Sequence, residues 1–184
     1  MERIADMNLN HSFETCHVSQ VVDGSLVLIK LSGRLCLAFK GFEILADRER
    51  TDLIVMLKPD DDPDRPDRGP VLLRLDEDLP CLDLGKGFLL DLLPQLNEVD
   101  IVRTEEKPVP GSVLVISDKI YLPTIIEKGV HGFLDLGSGE LLIDIAERDA
   151  SVIKQWRLGI PTHASGDDSV CWLLSSAEEW AAGE

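Results

Sequence analysis

The sequence predicts an α+β fold: a single domain over residues 1–184, mainly an antiparallel β-sheet of short strands with about three short helices. Two observations carry this expectation. Short apolar runs such as LVLIKL, LCLAF, LIVML and VLVI alternate with Gly, Pro, Asp and Ser turn signals. Helical spacing is confined to a few brief stretches, one of them close to the C-terminus. With 184 residues, 44% apolar and 28% charged, the chain is long enough and apolar enough for one packed core.

Residues 1–17 are polar and weakly periodic and read as a loosely held N-terminal arm or a short edge element. Asp23-Gly24 and Ser32-Gly33-Arg34 then punctuate a meander of three strands, residues 18–22, 25–31 and 34–40. In the middle strand Val27, Ile29 and Leu31 face one side and Leu26 and Leu28 the other, so both faces are expected to be covered. Residues 42–45 extend the sheet, 46–51 make a charged turn, and 52–58 form a buried strand stopped by Pro59. Residues 59–70, PDDDPDRPDRGP, are an acidic, Pro-rich loop whose aspartates lack the register of a calcium loop. Residues 71–75 return across it and complete a long hairpin.

The first helix is expected over residues 86–96, where Phe88, Leu89, Leu92, Leu93 and Leu96 fall at helical spacings and Pro94 ends or kinks the pattern. Residues 99–103, 112–116 and 119–122 are strand candidates. Residues 133–136 and 140–145 flank Gly137-Ser138-Gly139 as a hairpin. A second helix is expected over 149–157, with Asp149 as N-cap and Val152, Ile153 and Trp156 on one face. Residues 169–174 are a last strand, and Ser175 with Glu178 gives a capping-box pattern for a C-terminal helix over 175–179. No internal repeat is legible by eye.

Acidic side chains outnumber basic ones by 34 to 18, a formal net charge of −16. Such a field repels phosphate backbones and anionic lipid, which counts against nucleic acid or a membrane surface as partner and favours a basic protein surface. No run approaches the ~18 consecutive apolar residues of a membrane helix. The first residues are charged from Glu2 on and lack the apolar run of about seven or more that a signal peptide needs. Cys16, Cys36, Cys81 and Cys171 are widely spaced with no CxxC pair, so reduced thiols in the cytoplasm are expected.

Chemistry-bearing patterns are sparse. His11, Cys16 and His17 are zinc ligand types, but an adjacent Cys and His diverge and no second pair lies nearby, so no metal is expected. His163, Ser165 and Asp167 share one loop without a GxSxG elbow, phosphate loop or HExxH pair anywhere in the chain, and they read as polar loop residues. Asp135, Glu140 and Asp144 read as outward acids of a solvated sheet face rather than as a cation cluster.

The stretch Phe133-Leu134-Asp135-Leu136-Gly137-Ser138-Gly139 resembles the first motif of the Rossmann-like methyltransferases, where a strand ends in a glycine loop that cradles S-adenosylmethionine. The resemblance implies cofactor contacts from Asp135, Gly137 and Gly139. It also requires the loop to open into a long helix whose N-terminal amides meet the cofactor. Residues 140–145 are strand-like instead, and the 45 residues after Gly139 fall short of the roughly 100 that the rest of a doubly wound sheet needs. The same stretch is similar to the Asp-Thr-Gly-Ser loop of aspartic proteases, with Leu136 in the place of the threonine and no second such loop.

The expected function is therefore a non-enzymatic, acidic, cytoplasmic binding protein of the adaptor, inhibitor or immunity type. It would engage a basic surface on a protein partner through Asp60, Asp61, Asp62, Asp64 and Asp67, with no catalytic residue, metal or cofactor. The alternative is a small enzyme or cofactor-binding domain, methyltransferase-like, using the Asp135, Gly137 and Gly139 loop.

Overall fold

A computed structural model describes residues 15–57, 69–93, 100–103, 111–127, 130–145, 149–162 and 169–175. In chain order the strands are β1 (Thr15–His17), β2 (Leu26–Leu31), β3 (Arg34–Ile44), β4 (Arg50–Met56), β5 (Val71–Arg74), β6 (Pro80–Gly85) and β7 (Leu89–Asp91). They continue with β8 (Asp100–Arg103), β9 (Val113–Ile116), β10 (Lys119–Glu127), β11 (Val130–Asp135), β12 (Leu141–Leu142), β13 (Asp149–Ile153), β14 (Arg157–Thr162) and β15 (Ser169–Ser175).

The α+β expectation is overturned: the structure is mostly β-sheet, and none of the described residues is in an α-helix. The stretch expected as the first helix contains β7, which pairs with β14, and Leu93 has a φ of 35°, outside anything a right-handed helix contains. The second expected helix is β13 running into β14. Ala150 and Val152 pack on one side of β13 and Ile153 on the other, so burial on both faces imitates a helical spacing. Ser175 is the last residue of β15, and residues 176–179, the rest of the expected C-terminal helix, lie outside the described residues. Residues 18–20 form a single 3-10 turn instead of a strand, because Gln20 turns back to accept the His17 amide at 3.0 Å.

The architecture is a closed ring with two wings. β3, β4 and β5 form an antiparallel meander, and so do β10, β11 and β12. Two parallel junctions join the meanders into a six-stranded barrel. Ile125 of β10 meets Val71 of β5, and Phe42 of β3 meets Glu140 just before β12. From β3 a wing extends through β2 and β6 to β1; from β10 a second extends through β9 and β13 to β8.

The two halves repeat one plan strand for strand, β1–β7 against β8–β14. The Ile125 amide donates to the Pro70 carbonyl at 2.8 Å and the Phe42 amide to the Gly139 carbonyl at 2.9 Å. One step further along, Leu57 donates to Leu37 and Leu136 to Ile120, both at 3.0 Å. In register, Leu72 opposite Val55 answers to Leu141 opposite Leu134. At the junction of β7 and β14, Leu89 faces Gly159 and Leu90 faces Leu158, the reciprocal pairing that a two-fold relation produces.

Burial follows the same relation. One inner cluster takes matched residues from both halves: Leu26 and Val113, Phe39 and Leu122, Val55 and Leu134, Leu57 and Leu136, Leu72 and Leu141. Each wing has its own outer cluster. Val27, Ile29, Ala38, Ile54 and Cys81 in the first correspond to Leu114, Ile116, Tyr121, Phe133 and Ala150 in the second. The smaller sheet, β15-β14-β7, packs Leu158 and Ile160 on the inner cluster, while Trp156 ahead of β14 donates its indole N–H to the Gly111 carbonyl at 2.7 Å.

Candidate functional site

The stretch around Asp135 forms the tight turn between β11 and β12. Asp135 is buried at 3% exposure, yet its carboxylate is fully engaged. Its Oδ1 accepts the amides of Gly137 at 2.9 Å and Ser138 at 3.2 Å, and its Oδ2 accepts the Lys119 ammonium at 2.8 Å. Its carbonyl accepts the Gly139 amide at 2.8 Å, and the Glu140 amide donates to the Ser138 hydroxyl at 3.2 Å. Burial pushes the Asp135 carboxyl up, but the Lys119 ammonium and the two amides outweigh it and hold the group below its ordinary value.

All four amides from Gly137 to Glu140 are thus spent inside the turn. A cofactor loop needs those amides free and pointing outward. Glu140 leads into strand β12, not a helix, so neither donor set that the methyltransferase resemblance implies is available.

What the turn does instead is close the barrel. Gly139 has a φ of +79°, and a Cβ on it would stand 2.4 Å from the Gly24 amide nitrogen and 2.9 Å from the Asp23 carbonyl carbon. Gly41 meets the same seam, where a Cβ would stand 2.8 Å from the Gly139 carbonyl oxygen. Glycine is required because three backbones converge there closer than any side chain permits.

Beside this seam lies a charge cluster that sequence reading missed. Lys40 is 1% exposed, and its ammonium lies 2.8 Å from Asp52 and 3.2 Å from Asp23. Arg50 contacts both Asp23 oxygens at 2.8 Å and Asp52 at 3.2 Å, with its guanidinium 4.4 Å above the Phe42 ring. The Arg50 guanidinium is shifted upward by its hydrogen bond to Asp23. For Asp52, burial works upward and is outweighed by Lys40 and Arg50, so its carboxyl sits below the ordinary value. Two acids and two bases cancel, which lets the cluster be partly buried without an unpaired charge. The available signal was a lysine inside an otherwise apolar strand, LCLAFKGF.

Two further ion pairs link strands, one across the barrel wall and one in the smaller sheet. Arg74 grips both Glu43 oxygens, with Glu127 3.8 Å away. Arg157 holds Asp91 at 2.7 Å and stacks 3.9 Å from the Trp172 ring.

The remaining predicted residues are not brought together. Asp60, Asp61, Asp62, Asp64 and Asp67 lie outside the described residues, as do His11, His163, Ser165 and Asp167. Cys16 and His17 are neighbours on β1 and point to opposite faces; the Cys16 thiol meets Cys81, while the His17 ring lies 3.3 Å from the Asp78 carbonyl. Asp144 is exposed, whereas Asp135 is taken up by Lys119. Among the described residues no group of three or more His, Cys, Asp or Glu is placed to hold a metal ion, and no helix is long and apolar enough to cross a membrane. No family model, no curated protein and no solved structure matches the chain.

Proposed function

We propose that the protein is a non-enzymatic, cytoplasmic interaction protein of the adaptor, inhibitor or immunity type that meets a basic surface on a protein partner through Asp60, Asp61, Asp62, Asp64 and Asp67. The observation that supports this most is the unequal closure of two equivalent turns. Between Leu136 and Gly139 the second half uses two residues; between the corresponding Leu57 and Pro70 the first uses twelve, five of them aspartate. The fold's own requirement is therefore met by two residues. Additional length in a connection between paired strands is where binding residues concentrate.

Arg65 and Arg68 interrupt the aspartates, so the loop alone supplies little net charge and the −16 of the whole chain has to steer the partner. The ion pairs around Lys40 and Lys119 neutralise their own acids and contribute nothing to that field. A cytoplasmic setting draws support from the wide spacing of Cys16, Cys36, Cys81 and Cys171 in the sequence, with no CxxC pair.

Affinity capture at low salt tests the reading. The wild-type chain is compared with a trimmed variant carrying Gly-Ser in place of residues 58–69, and the recovered partner is then purified and rebound. A basic partner that is retained by the wild type, released by salt and lost on trimming supports the reading. Binding that survives the trimming sinks it.

A further inference from the structure

Cys16 and Cys81 sit directly opposite each other on β1 and β6. Their sulfur atoms are 3.7 Å apart, close enough for one thiol to hydrogen-bond the other. The ladder they belong to fixes their backbone spacing. Val18 donates to the Leu79 carbonyl at 2.9 Å, and two residues back in the same register Cys16 and Cys81 are again a hydrogen-bonded antiparallel pair. Such pairs hold their Cα atoms about 5.5 Å apart, inside the window of about 4.4–6.8 Å that a disulfide requires. Cys36 is separated from Cys81 by Ile29 of β2, and Cys171 lies in the other sheet, so neither competes for this position.

We propose that Cys16 and Cys81 form a site of reversible oxidation, closing to a disulfide when the protein meets a peroxide. Cys16 is the entry point. It is partly exposed, whereas Cys81 is 5% exposed and burial pushes its thiol up to about 12, with the Cys16 contact adding to the effect. The Cys16 thiolate attacks one peroxide oxygen and the O–O bond breaks. Cys16 becomes a sulfenic acid, and the departing hydroxide takes up a proton as water.

Cys81 then attacks the Cys16 sulfur. The S–S bond forms as the S–O bond breaks, and the Cys81 proton leaves with the hydroxide as a second water. Two thiols and one peroxide become one disulfide and two waters, and a thiol reductant reverses the change by exchange. The second half has Val102 and Ala150 at the corresponding positions, so the device belongs to the first wing alone. Oxidation ties the edge strand β1, and the chain leading into it, covalently to the sheet.

The test uses the intact wild-type protein with stoichiometric hydrogen peroxide, followed by counting of free thiols, non-reducing digestion and mass spectrometry. The expected result is a fall from four free thiols to two, with one cross-link joining the peptides of Cys16 and Cys81 and restoration by dithiothreitol. Cys36→Ser and Cys171→Ser retain the link, while Cys16→Ser abolishes it. Four thiols remaining, Cys16 accumulating as sulfinic acid with Cys81 still free, or a link to Cys36, to Cys171 or between two chains would each overturn the proposal.

Discussion

Residues 15–91 and 100–162 build the same seven strands in the same pairing order, yet they handle one turn and one buried charge in opposite ways. The second half closes its β11–β12 turn with Gly137 and Ser138 and ties it down with Asp135 and Lys119. The first inserts the Pro- and Asp-rich stretch at the corresponding turn and keeps its buried lysine at the seam, between Asp23 and Asp52. Inward-facing positions are shared and outward connections are not. The barrel therefore constrains burial and register at the matched core sites, while turns and ion pairs are free to differ wherever they reach the surface.

Truncation of matched core residues is the severest way to break this comparison. Leu72→Ala and Leu141→Ala each empty a corresponding site in the inner cluster, at 7% and 4% exposure, and each should cost about 2–5 kcal/mol in urea unfolding. Losses that differ by more than a factor of about three would show that the halves do not share the core evenly. Next comes Gly139→Ala, which places a Cβ against the Gly24 backbone and should cost about 3 kcal/mol. Gly87→Ala, with nothing within 4 Å, serves as its control and should be close to neutral.

Charge substitutions separate the halves more finely. Lys40→Met removes a buried cation from between two acids that retain Arg50, and should cost about 2 kcal/mol. Lys119→Met, on a lysine whose side chain is 56% exposed, should shift the urea midpoint much less. Asp52 and Asp135 both titrate below their ordinary 3.8, so each contributes stability that is complete above that value and disappears as pH falls through the lower folded-state pKa. Acid unfolding of the Lys119→Met variant should then be shallower than that of the wild type, because Asp135 has lost the ammonium that depresses it. The smallest effect is expected for the trimmed variant without residues 58–69, which should melt within about 1 kcal/mol of the wild type.

The hairpins were the most legible part of the fold. The two-sided pattern forecast the burial of β2, with Val27, Ile29 and Leu31 at the outer cluster and Leu26 in the inner one, although Leu28 is half-buried and enters neither, and the Gly137-Ser138-Gly139 turn was readable from its flanking apolar runs. The helices were misread because strands buried on both faces have no alternation of polar and apolar residues. Val152, Ile153 and Trp156 then fall at a helical spacing by accident of which cluster each one enters.

The repeated plan was hidden for a related reason. Ala38 answers to Tyr121 and Cys81 to Ala150, so volume is rearranged within each outer cluster and identity is not kept. Seam chemistry was equally obscure, since Asp23, Lys40, Asp52 and Gly139 are far apart in sequence and meet only once the ring is closed.

That ring has a consequence for synthesis. The Phe42 end of β3, beyond its pairing with β2, waits for residues 139–142, and β5 waits for β10. As the chain leaves the ribosome, the first meander must hold the far end of one edge and the whole of the other unsatisfied while dozens of later residues are made. This is the exposure that slows folding and invites wrong pairing in sheets of long sequence separation. The repeated plan of the wings gives the waiting half its own outer cluster, Val27, Ile29, Ile54 and Cys81, to condense around before its counterpart arrives.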